Sequence, residues 1–279
     1  MKTVVYFCIQ NNSIIQEKLE QYHMKYDLFP SGTLFQEEYI RFTLYKEDPA
    51  YQALQEILPA SSGSWLDFSK QELEEAPWLA FRSSNMKLNS MNPHTFAFSC
   101  PIVTRIGNLE EHGAYHQKQV APYTFQPVKW TSNNHFYSSY EGGYETIFCD
   151  DYAKEIFLQN HFQGVVFETV MWYRKDIALP NVHQLCFTNI LPTQALLLDK
   201  VDIFECPQCG RKKYIPETTF QLHVKQSYFD PGIDFYSTES IFGSGREHPI
   251  LIASNRVYRI LRNMKLIRNL CFEPVILTD

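Results

Sequence analysis

The sequence predicts an α+β protein. A small N-terminal α/β unit is followed by a mixed α+β region, in which two similar strand–helix–strand modules flank a zinc-knuckle-like insert. Three observations lead to this prediction: strand and helix patterns alternate near the N-terminus, two C-terminal segments resemble each other, and a CxxCG motif lies between them. The predicted domains are 1–60, 61–146 and 147–279.

The first 60 residues alternate between strand and helix patterns. VVYFCI at 4–9 is an apolar run typical of a buried strand, and FQEEYIRFTLY at 35–45 partly alternates apolar and polar residues. Asn12 or Ser13 is placed to cap a helix between these strands. Pro49 follows an aspartate and predicts the first turn of a second helix.

The region 61–146 is predicted to contain short elements. PASSGS at 59–64 is a linker or a long loop, because proline, serine and glycine favour turns. Ser69 and Glu72 have the spacing of a capping box, which predicts a short helix that ends near Ala76. TFAFSCPIV and YTFQPVKW are predicted strands.

An internal similarity organises the C-terminal half. Residues 147–170 align without gaps to residues 252–275, and both segments end in Phe-Glu-x-Val. Each has the pattern of a strand, a capped helix and a second strand, which is typical of a repeated supersecondary unit. Because the identities are few, chance similarity between two β-α-β segments is the alternative to a duplication.

The segment FECPQCGRKKY contains half of a zinc site. Cys206 and Cys209 form a CxxC, and Gly210 relieves the backbone directly after the second cysteine. Upstream, His183 and Cys186 form an HxxC, which completes the pattern H-x2-C-x19-C-x2-C. This spacing is within the range of zinc ribbons and predicts a Cys3His site. Because four protein ligands leave no open position, the predicted zinc is structural.

Other arrangements of the cysteines stay open from the sequence. Residues three apart on a strand point to opposite faces, so His183 and Cys186 need a bulge or a turn to share one ion. Cys100, Cys149 and Cys271 are further possible ligands, although Cys149 and Cys271 lie in strand-like segments. Without zinc, the CxxC is a turn with two thiols. A redox CxxC is less favoured, since such motifs normally open a helix.

The C-terminal half of the chain resembles a bacterial family. CPQCGRKKY, DPGIDFYSTESIFGSG and ILIASNRVYRILRNMKLIRNLCFEPV follow one another in this order. This is similar to the double-CxxCG motif proteins and, more distantly, to immunity proteins encoded beside polymorphic toxins. Cys206, Cys209 and Gly210 match the second CxxCG of that family, and residues 272–275 match its terminal strand.

The resemblance begins at Ile147 and has implications for both structure and function. It implies that the CxxCG is followed by a D-[IL]-F-like stretch, a G-x-G turn, a strand, a helix and a final strand. It also implies a protein that neutralises a toxin. The first CxxCG of the double motif is absent from this sequence, so zinc ligation by two CxxCG pairs does not carry over.

Composition and charge narrow the class of protein. The net charge is −6 and the pI is about 5.9, which disfavours general binding of DNA or RNA. The N-terminal apolar run is too short for a secretory or membrane segment. Seven cysteines without an export signal indicate reduced thiols. We therefore expect a cytoplasmic protein that does not contact membranes.

No familiar catalytic motif is present in the sequence. His112 and His116 are four apart and share a helix face with no evident third metal ligand, and Gly113 weakens such a helix. Cys149 precedes two aspartates, and neighbouring carboxylates raise the pKa of a thiol. We therefore expect that the protein is not an enzyme.

Three functions are carried forward from the sequence. The first is a non-enzymatic cytoplasmic protein that neutralises a cognate protein toxin, which the resemblance and the acidic charge favour. The second is a zinc-ribbon nucleic-acid-binding or regulatory protein that uses the cations at 211–213 and the basic helix at 256–268. The third is an enzyme with an unrecognised active site around His112 and His116.

Overall fold

The computed structural model describes residues 1–10, 12–30, 38–55, 57–58, 63–84, 88, 91, 94–98, 117–139, 146–199, 201–207, 209–216, 220–243 and 248–279. The chain divides into two compact units, Met1–Glu72 and the combination of Leu73–Pro216 with Gln221–Asp279. Helices and strands are both present and strands predominate, so the α+β prediction is confirmed at this level. No described helix is long and apolar enough to cross a bilayer.

The first unit is a sheet packed against two helices. Its elements are β1 (Lys2–Gln10), α1 (Ser13–Gln21), β2 (Tyr26–Pro30), β3 (Glu38–Tyr45), α2 (Pro49–Leu54) and β4 (Gly63–Asp67). The described strands have the order β2-β3-β1-β4, and each neighbouring pair is antiparallel. Because β1 and β2 are both antiparallel to β3, they are parallel to each other, which makes β1-α1-β2 a split β-α-β unit. The order β-α-β-β-α-β is that of ferredoxin-like folds.

Local hydrogen bonds explain where α1 begins and ends. The side chain of Asn12 accepts a hydrogen bond from the backbone N–H of Ile14 at 2.9 Å, so Asn12 is the cap. His23 has φ 55°, in the left-handed region, and reverses the chain after the helix. Tyr26 therefore begins β2.

The core of the first unit lies between one face of its sheet and the two helices. Its buried residues are Val5, Phe7, Ile15, Leu19, Ile40, Phe42, Leu44, Ala50 and Leu54. The strand members of this core alternate along β1 and β3. The intervening side chains therefore point to the opposite face of the sheet.

The first unit extends past residue 60, where the sequence places its end. Strand β4 pairs with β1 from Lys2↔Asp67 to Tyr6↔Gly63, and this pairing brings the chain up to Glu72 into the unit. Both hydrogen bonds of the predicted capping box are present, because Ser69 N donates to Glu72 Oε2 at 2.8 Å and Glu72 N donates to Ser69 Oγ at 3.3 Å. The region 61–146 therefore supplies strands to both units.

The second unit follows the helix α3 (Lys70–Glu75). Its strands and helices are β5 (Trp78–Ser83), β6 (Phe96–Phe98), β7 (Gln117–Gln119), β8 (Thr124–Phe125), β9 (Phe136–Ser139), β10 (Thr146–Cys149), α4 (Asp151–Gln159), β11 (Val165–Trp172), β12 (Ala178–Phe187), β13 (Ile190–Leu191), β14 (Leu196–Leu197), β15 (Val201–Glu205), β16 (Lys212–Pro216), β17 (His223–Lys225), β18 (Phe235–Phe242), β19 (His248–Ser254), α5 (Asn255–Asn263), β20 (Leu270–Pro274) and β21 (Ile276–Thr278). Short 3-10 turns lie at Thr193–Ala195, Gln226–Tyr228 and Ile267–Asn269.

Two sheets form the frame of the second unit. Among the described strands, the middle sheet has the order β8-β11-β12-β10-β9, and the large sheet has the order β15-β16-β18-β19-β5-β20 with β13 added to β18. Smaller sheets have the orders β14-β17-β21 and β6-β7. Helices α4 and α5 and strands of both larger sheets contribute to one apolar core, in which Phe157 stacks on Phe235 with ring centroids 5.4 Å apart.

The two segments that resemble each other in sequence both form a strand, a nine-residue helix and a strand. In β10-α4-β11 the two strands flank β12, and in β19-α5-β20 they flank β5. In each case both strands are antiparallel to the strand between them, so they are parallel to each other. Each segment is thus a split β-α-β unit.

The structure corrects the register of the sequence alignment. The gapless alignment pairs Asp150 with Asn255, but the N-caps are Asp150 and Ser254, which accept hydrogen bonds from Ala153 N and Val257 N. The left-handed residues that end the helices are His161 and Lys265. Helix α5 therefore corresponds to α4 with an offset that is one residue smaller than the offset of the sequence alignment. The 3-10 turn Ile267–Asn269 lies between α5 and β20, and the offset of the alignment is restored before β20 begins.

Candidate functional site

The CPQCG segment is a tight turn between two antiparallel strands. Strands β15 and β16 pair from Val201↔Pro216 to Glu205↔Lys212. Cys206 N donates to Arg211 O at 2.9 Å, and Gly210 N donates to Cys206 O at 2.9 Å. Gly210 has φ 69°, a left-handed conformation that other residues adopt at a cost. The motif therefore leads into the strand β16 and not into a helix.

The turn presents its two cysteines differently. Cys206 is buried and packs against Phe204 and Ile241, whereas Cys209 is exposed. Lys212, one of the predicted neighbouring cations, forms an ion pair with Glu205 at 3.4 Å. A turn of this form can supply two thiolates to one ion, so the segment fits half of a structural zinc site.

His183 does not face the CPQCG turn, because both of its ring nitrogens have other partners. It lies in β12 of the middle sheet, where its Nε2 is 2.6 Å from Asp151 Oδ1. Its Nδ1 is 3.4 Å from Lys154 Nζ. A ligating imidazole must offer a nitrogen lone pair to the metal, and in this arrangement the carboxylate and the ammonium occupy both sides of the ring.

Cys186 lies on the opposite face of β12 from His183. Strand β11 pairs with β12 without a shift at Val166↔Cys186 and Thr169↔His183, so the bulge that a shared ion would need is absent from this part of the described structure. Burial and the neighbouring Glu168 carboxylate raise the pKa of Cys186 to about 12.

The predicted Cys3His set is therefore not assembled. Cys206 and Cys209 follow β15 of the large sheet, while His183 and Cys186 lie in the middle sheet. All four residues are described, and the described chain contains no group of three or more His, Cys, Asp or Glu side chains placed to hold a metal. The spacing of the four residues in the sequence is compatible with a zinc ribbon, but the fold places the HxxC pair and the CxxC pair in different sheets.

The other cysteines considered as ligands lie in different places. Cys149 belongs to the apolar core, where burial, with a smaller contribution from Asp150, raises the pKa of its thiol well above the usual range. Cys271 lies in β20. Cys100, His112 and His116 lie outside the described residues.

The sequence did not reveal two His–Asp pairs at the start of α4. Asp150 Oδ1 caps the helix through Ala153 N at 2.8 Å, and its Oδ2 is 2.8 Å from His135 Nδ1. Asp151 Oδ1 forms the second pair, with Nε2 of His183. The consecutive aspartates are visible in the sequence as a helix start, but their histidine partners come from β12 and from the residue before β9. These pairs anchor the first turn of α4 to the middle sheet.

The arginines of the basic helix α5 are bonded within the chain. Arg256 Nη1 is 2.9 Å from Asp234 Oδ2, in a network that also includes the hydroxyl of Ser254. Arg259 donates to the backbone carbonyl of Glu74 at 3.0 Å, and Arg262 pairs with the Glu74 carboxylate. Carboxylates therefore compensate Arg256 and Arg262, and all three arginines connect α5 to neighbouring segments.

The face of the N-terminal sheet away from the helices has a distinct composition. We call it the outer face; it carries Lys2, Val4, Tyr6, Cys8, Asp27, Tyr39, Arg41, Thr43, Tyr45, Trp65 and Asp67. The pairs Val4↔Tyr45, Cys8↔Arg41 and Val4↔Trp65 are directly opposite each other, which places their side chains on one face. Most of these side chains are exposed or half-buried, and Trp65 is 40% exposed.

Aromatic rings and paired charges cover the outer face. The rings of Tyr6 and Trp65 are 6.4 Å apart, and Lys2 Nζ lies 5.0 Å from the ring centre of Tyr45. Tyr45 donates its hydroxyl to Asp67 at 3.0 Å, and this hydrogen bond raises the pKa of Tyr45. Arg41 pairs with Asp27 at 3.1 Å. The face therefore offers aromatic surface bordered by carboxylates.

No protein-family model, no curated protein and no solved structure matches the chain. The resemblance to the double-CxxCG proteins accordingly stays a prediction.

Proposed function

We propose that the protein is a non-enzymatic cytoplasmic binding protein that neutralises a cognate protein toxin, as an immunity protein does. One observation carries this proposal: the elements after the CPQCG turn follow the order that the resemblance implies. After β16 and β17, they are Asp234 with β18 as the D-F stretch, Gly243 with φ 118°, β19, α5 and β20. Neutralisation would take place by occlusion, in which the bound protein covers the toxin's functional surface.

The distribution of charge supports a protein partner. The chain has 31 acidic and 25 basic side chains, and three arginines of its most basic helix are bonded internally. The positive surface that phosphate binding requires is correspondingly reduced.

The experiment that tests this function begins with capture by the tagged full-length chain from a lysate of the cells that encode it. We expect one stoichiometric protein partner that persists at high salt. Expression of that partner alone should inhibit growth, and co-expression of this chain should restore it. A partner that does not inhibit growth would contradict the proposal.

A second candidate, binding of single-stranded nucleic acid, is favoured by the N-terminal sheet. RNA-recognition modules also use exposed aromatic residues on a four-stranded sheet to stack bases. This is an analogy of architecture, and such likeness does not establish function. Nucleic acid that co-purifies with the chain and is released by salt would support this candidate.

We further propose that Cys206 and Cys209 bind a structural zinc. The support is the turn geometry, and the remaining ligands would come from outside the predicted HxxC. Metal analysis of the purified chain should find about one zinc per chain. Cys206→Ser should abolish it, whereas Cys186→Ser should leave the zinc content unchanged, because Cys186 lies in β12 of the middle sheet and the turn follows β15 of the large sheet. Loss of zinc in Cys186→Ser would restore the HxxC interpretation.

We also infer that the segments β10-α4-β11 and β19-α5-β20 are copies of one supersecondary unit that flank the CPQCG turn. The equal helix lengths, the matching caps and the split β-α-β arrangement support this inference.

A further inference from the structure

The CPQCG turn holds two thiols within reach of each other. Gly210 N donates to Cys206 O at 2.9 Å, so the backbone between these two residues makes a single turn. Side chains three apart on such a turn are neighbours, with about 5–6 Å between their Cβ atoms. A disulfide requires roughly 3.5–4.5 Å between them. Cys206 and Cys209 can therefore bond after a local shift of about 1–2 Å, which the adjacent glycine can accommodate.

The two thiols differ in their access to solvent. Cys206 is 1% exposed and packs against Phe204 and Ile241, whereas Cys209 is exposed. A dissolved oxidant therefore meets Cys209 first, while the apolar cover protects Cys206 from direct attack. An exposed thiol beside a second cysteine that resolves it is the arrangement found in redox-sensing proteins.

The other described cysteines lie in separate strands. They are Cys8 in β1, Cys149 in β10, Cys186 in β12 and Cys271 in β20. Cys149 and Cys186 are in neighbouring strands, but Cys149 lies directly opposite His183, and Cys186 is on the other face of β12. Within the described part of the chain, the CPQCG turn is thus the place where two cysteines are arranged to react with each other.

We propose that Cys206 and Cys209 form a peroxide-sensitive dithiol. Hydrogen peroxide transfers one oxygen atom to the Cys209 thiol, which becomes a sulfenic acid, and one water is released. The Cys206 thiol then attacks the sulfur of Cys209, so that the S–S bond forms, the S–O bond breaks and a second water leaves. Two thiols thus supply the two electrons that reduce one peroxide to two waters.

The strand after the turn separates this role from catalysis of thiol–disulfide exchange. Exchange enzymes activate the reactive thiol at the N-terminus of a helix, whereas the CPQCG motif leads into β16. The disulfide would affect only the small cluster of Cys206 with Phe204 and Ile241, which is distinct from the main core of the second unit. We therefore expect the oxidised chain to stay folded.

Oxidation of the dithiol competes with the proposed zinc. The thiolate is the form of cysteine that binds zinc, and a disulfide has no thiolate to offer. Each disulfide should therefore release the metal from the turn. This release rests on the proposed zinc site, whereas formation of the disulfide does not.

The test treats the purified full-length chain with hydrogen peroxide, both as isolated and after removal of zinc by a chelator. Alkylation and peptide mass mapping then report the state of each cysteine separately. We expect a disulfide between Cys206 and Cys209 that dithiothreitol reverses, and a parallel fall in bound zinc in the sample as isolated. Cys186→Ser, which changes a cysteine of β12, is the control and should form the same disulfide at an unchanged rate.

Two further variants test the order of the steps. Cys206→Ser should stop Cys209 at the sulfenic acid, which dimedone traps. In Cys209→Ser, the buried Cys206 should be oxidised on the order of 10-fold more slowly than Cys209 is in the unmodified chain. Circular dichroism checks the fold of each variant, and the peptide map of the unmodified chain remains decisive if a variant does not fold.

The outcomes separate the dithiol from the zinc site. Two thiols that are still alkylated after an excess of peroxide overturn the inference, as does a disulfide that joins Cys209 to another cysteine or to a second chain. If zinc is bound and the disulfide does not form, the metal site stands and the inference is wrong. If the disulfide forms in a chain that is isolated without zinc, the inference stands and the metal site is wrong. The capture of a toxin is tested independently of both.

Discussion

The segments β10-α4-β11 and β19-α5-β20 have the same local structure but acquire it in different surroundings. Both contain a capped nine-residue helix that ends at a left-handed residue. The strand that fills the gap in the first segment is β12, which follows β11 in the chain, whereas the gap in the second is filled by β5, which ends at Ser83, far before β19. The sequence of each segment therefore determines its helix and caps, but it does not determine which strand pairs between the two strands of that segment.

The two helices also secure their first turns with different chemistry. Asp150 combines the cap of α4 with a bond to His135, which belongs to the chain just before β9. Ser254 caps α5 and donates its hydroxyl to Asp234 at 2.9 Å, where Arg256 also binds. The geometry of the cap is shared, while its polar partners differ between the two segments.

The largest expected effect tests whether both helices support one core. Phe157 and Leu261 occupy corresponding helix positions, and both are buried in the same cluster. We expect Phe157→Ala to lower the free energy of unfolding by about 3–5 kcal/mol and Leu261→Ala by about 2–5 kcal/mol, through lost burial and a residual cavity. Urea denaturation followed by circular dichroism measures both changes.

Leu158→Ala is the matched control for the core variants. Leu158 is adjacent to Phe157 but 57% exposed, so its truncation should change the free energy of unfolding by about 0.5 kcal/mol or less. If Phe157→Ala unfolds in a separate transition while the rest of the second unit stays folded, the two helices do not share one cooperative core.

Local features of the fold were predictable from the sequence for a physical reason. The cap by Asn12 and the capping box of Ser69 with Glu72 depend on contacts between residues two or three apart, so their spacing is visible in the chain. The linker or long loop predicted at 59–64 overlaps only the start of β4, and the strand itself is not predicted because its membership in the sheet depends on pairing with β1, about sixty residues away. Neither β4 nor the insertion of β5 could be inferred from periodicity alone.

The candidate site shows the same limit. The turn at Cys206 and Gly210 follows from five consecutive residues and was predictable. A zinc site shared with His183 and Cys186 would require segments that are distant in the sequence to come together. Strand periodicity already argued against this site, since the two residues point to opposite faces of β12. The outer face was not recognised, because its aromatic residues are scattered over separate strands until the sheet brings them together.

The second expected effect concerns the difference between the two caps. Asp150→Ala removes the cap of α4 and leaves His135 without its carboxylate partner, so we expect a loss of about 2–3 kcal/mol in the free energy of unfolding. Ser254→Ala should cost about 1 kcal/mol, because Arg256 still satisfies Asp234. Asp150→Asn retains the cap, so its free energy of unfolding should fall by less than that of Asp150→Ala. Equal losses for the two alanine variants would show that the His135 bond adds nothing.

The smallest expected effect concerns the glutamate of the Phe-Glu-x-Val sequence in which both segments end. Burial raises the pKa of Glu273, and Arg82 at 3.8 Å only partly opposes this rise. Glu168, the corresponding residue in β11, is exposed. Glu273→Gln removes a carboxylate whose ionisation in the folded state is unfavourable. We expect a gain of a few tenths of a kcal/mol at pH 7, a small value because the carboxylate is about one-third exposed and screened by solvent.

The direction of the pH dependence follows from linkage. A carboxyl group with a raised pKa in the folded state contributes stability below its unfolded pKa, about 4.3, and loses that contribution as the pH rises through the folded value. The advantage of Glu273→Gln should therefore appear above this range and disappear near pH 4. Urea denaturation midpoints measured from pH 4 to pH 7 for the unmodified chain and Glu273→Gln test this pH dependence. If Glu273→Gln is instead destabilised at pH 7, the attraction of Arg82 outweighs the cost of burial, and the two endings differ through their ion pairing.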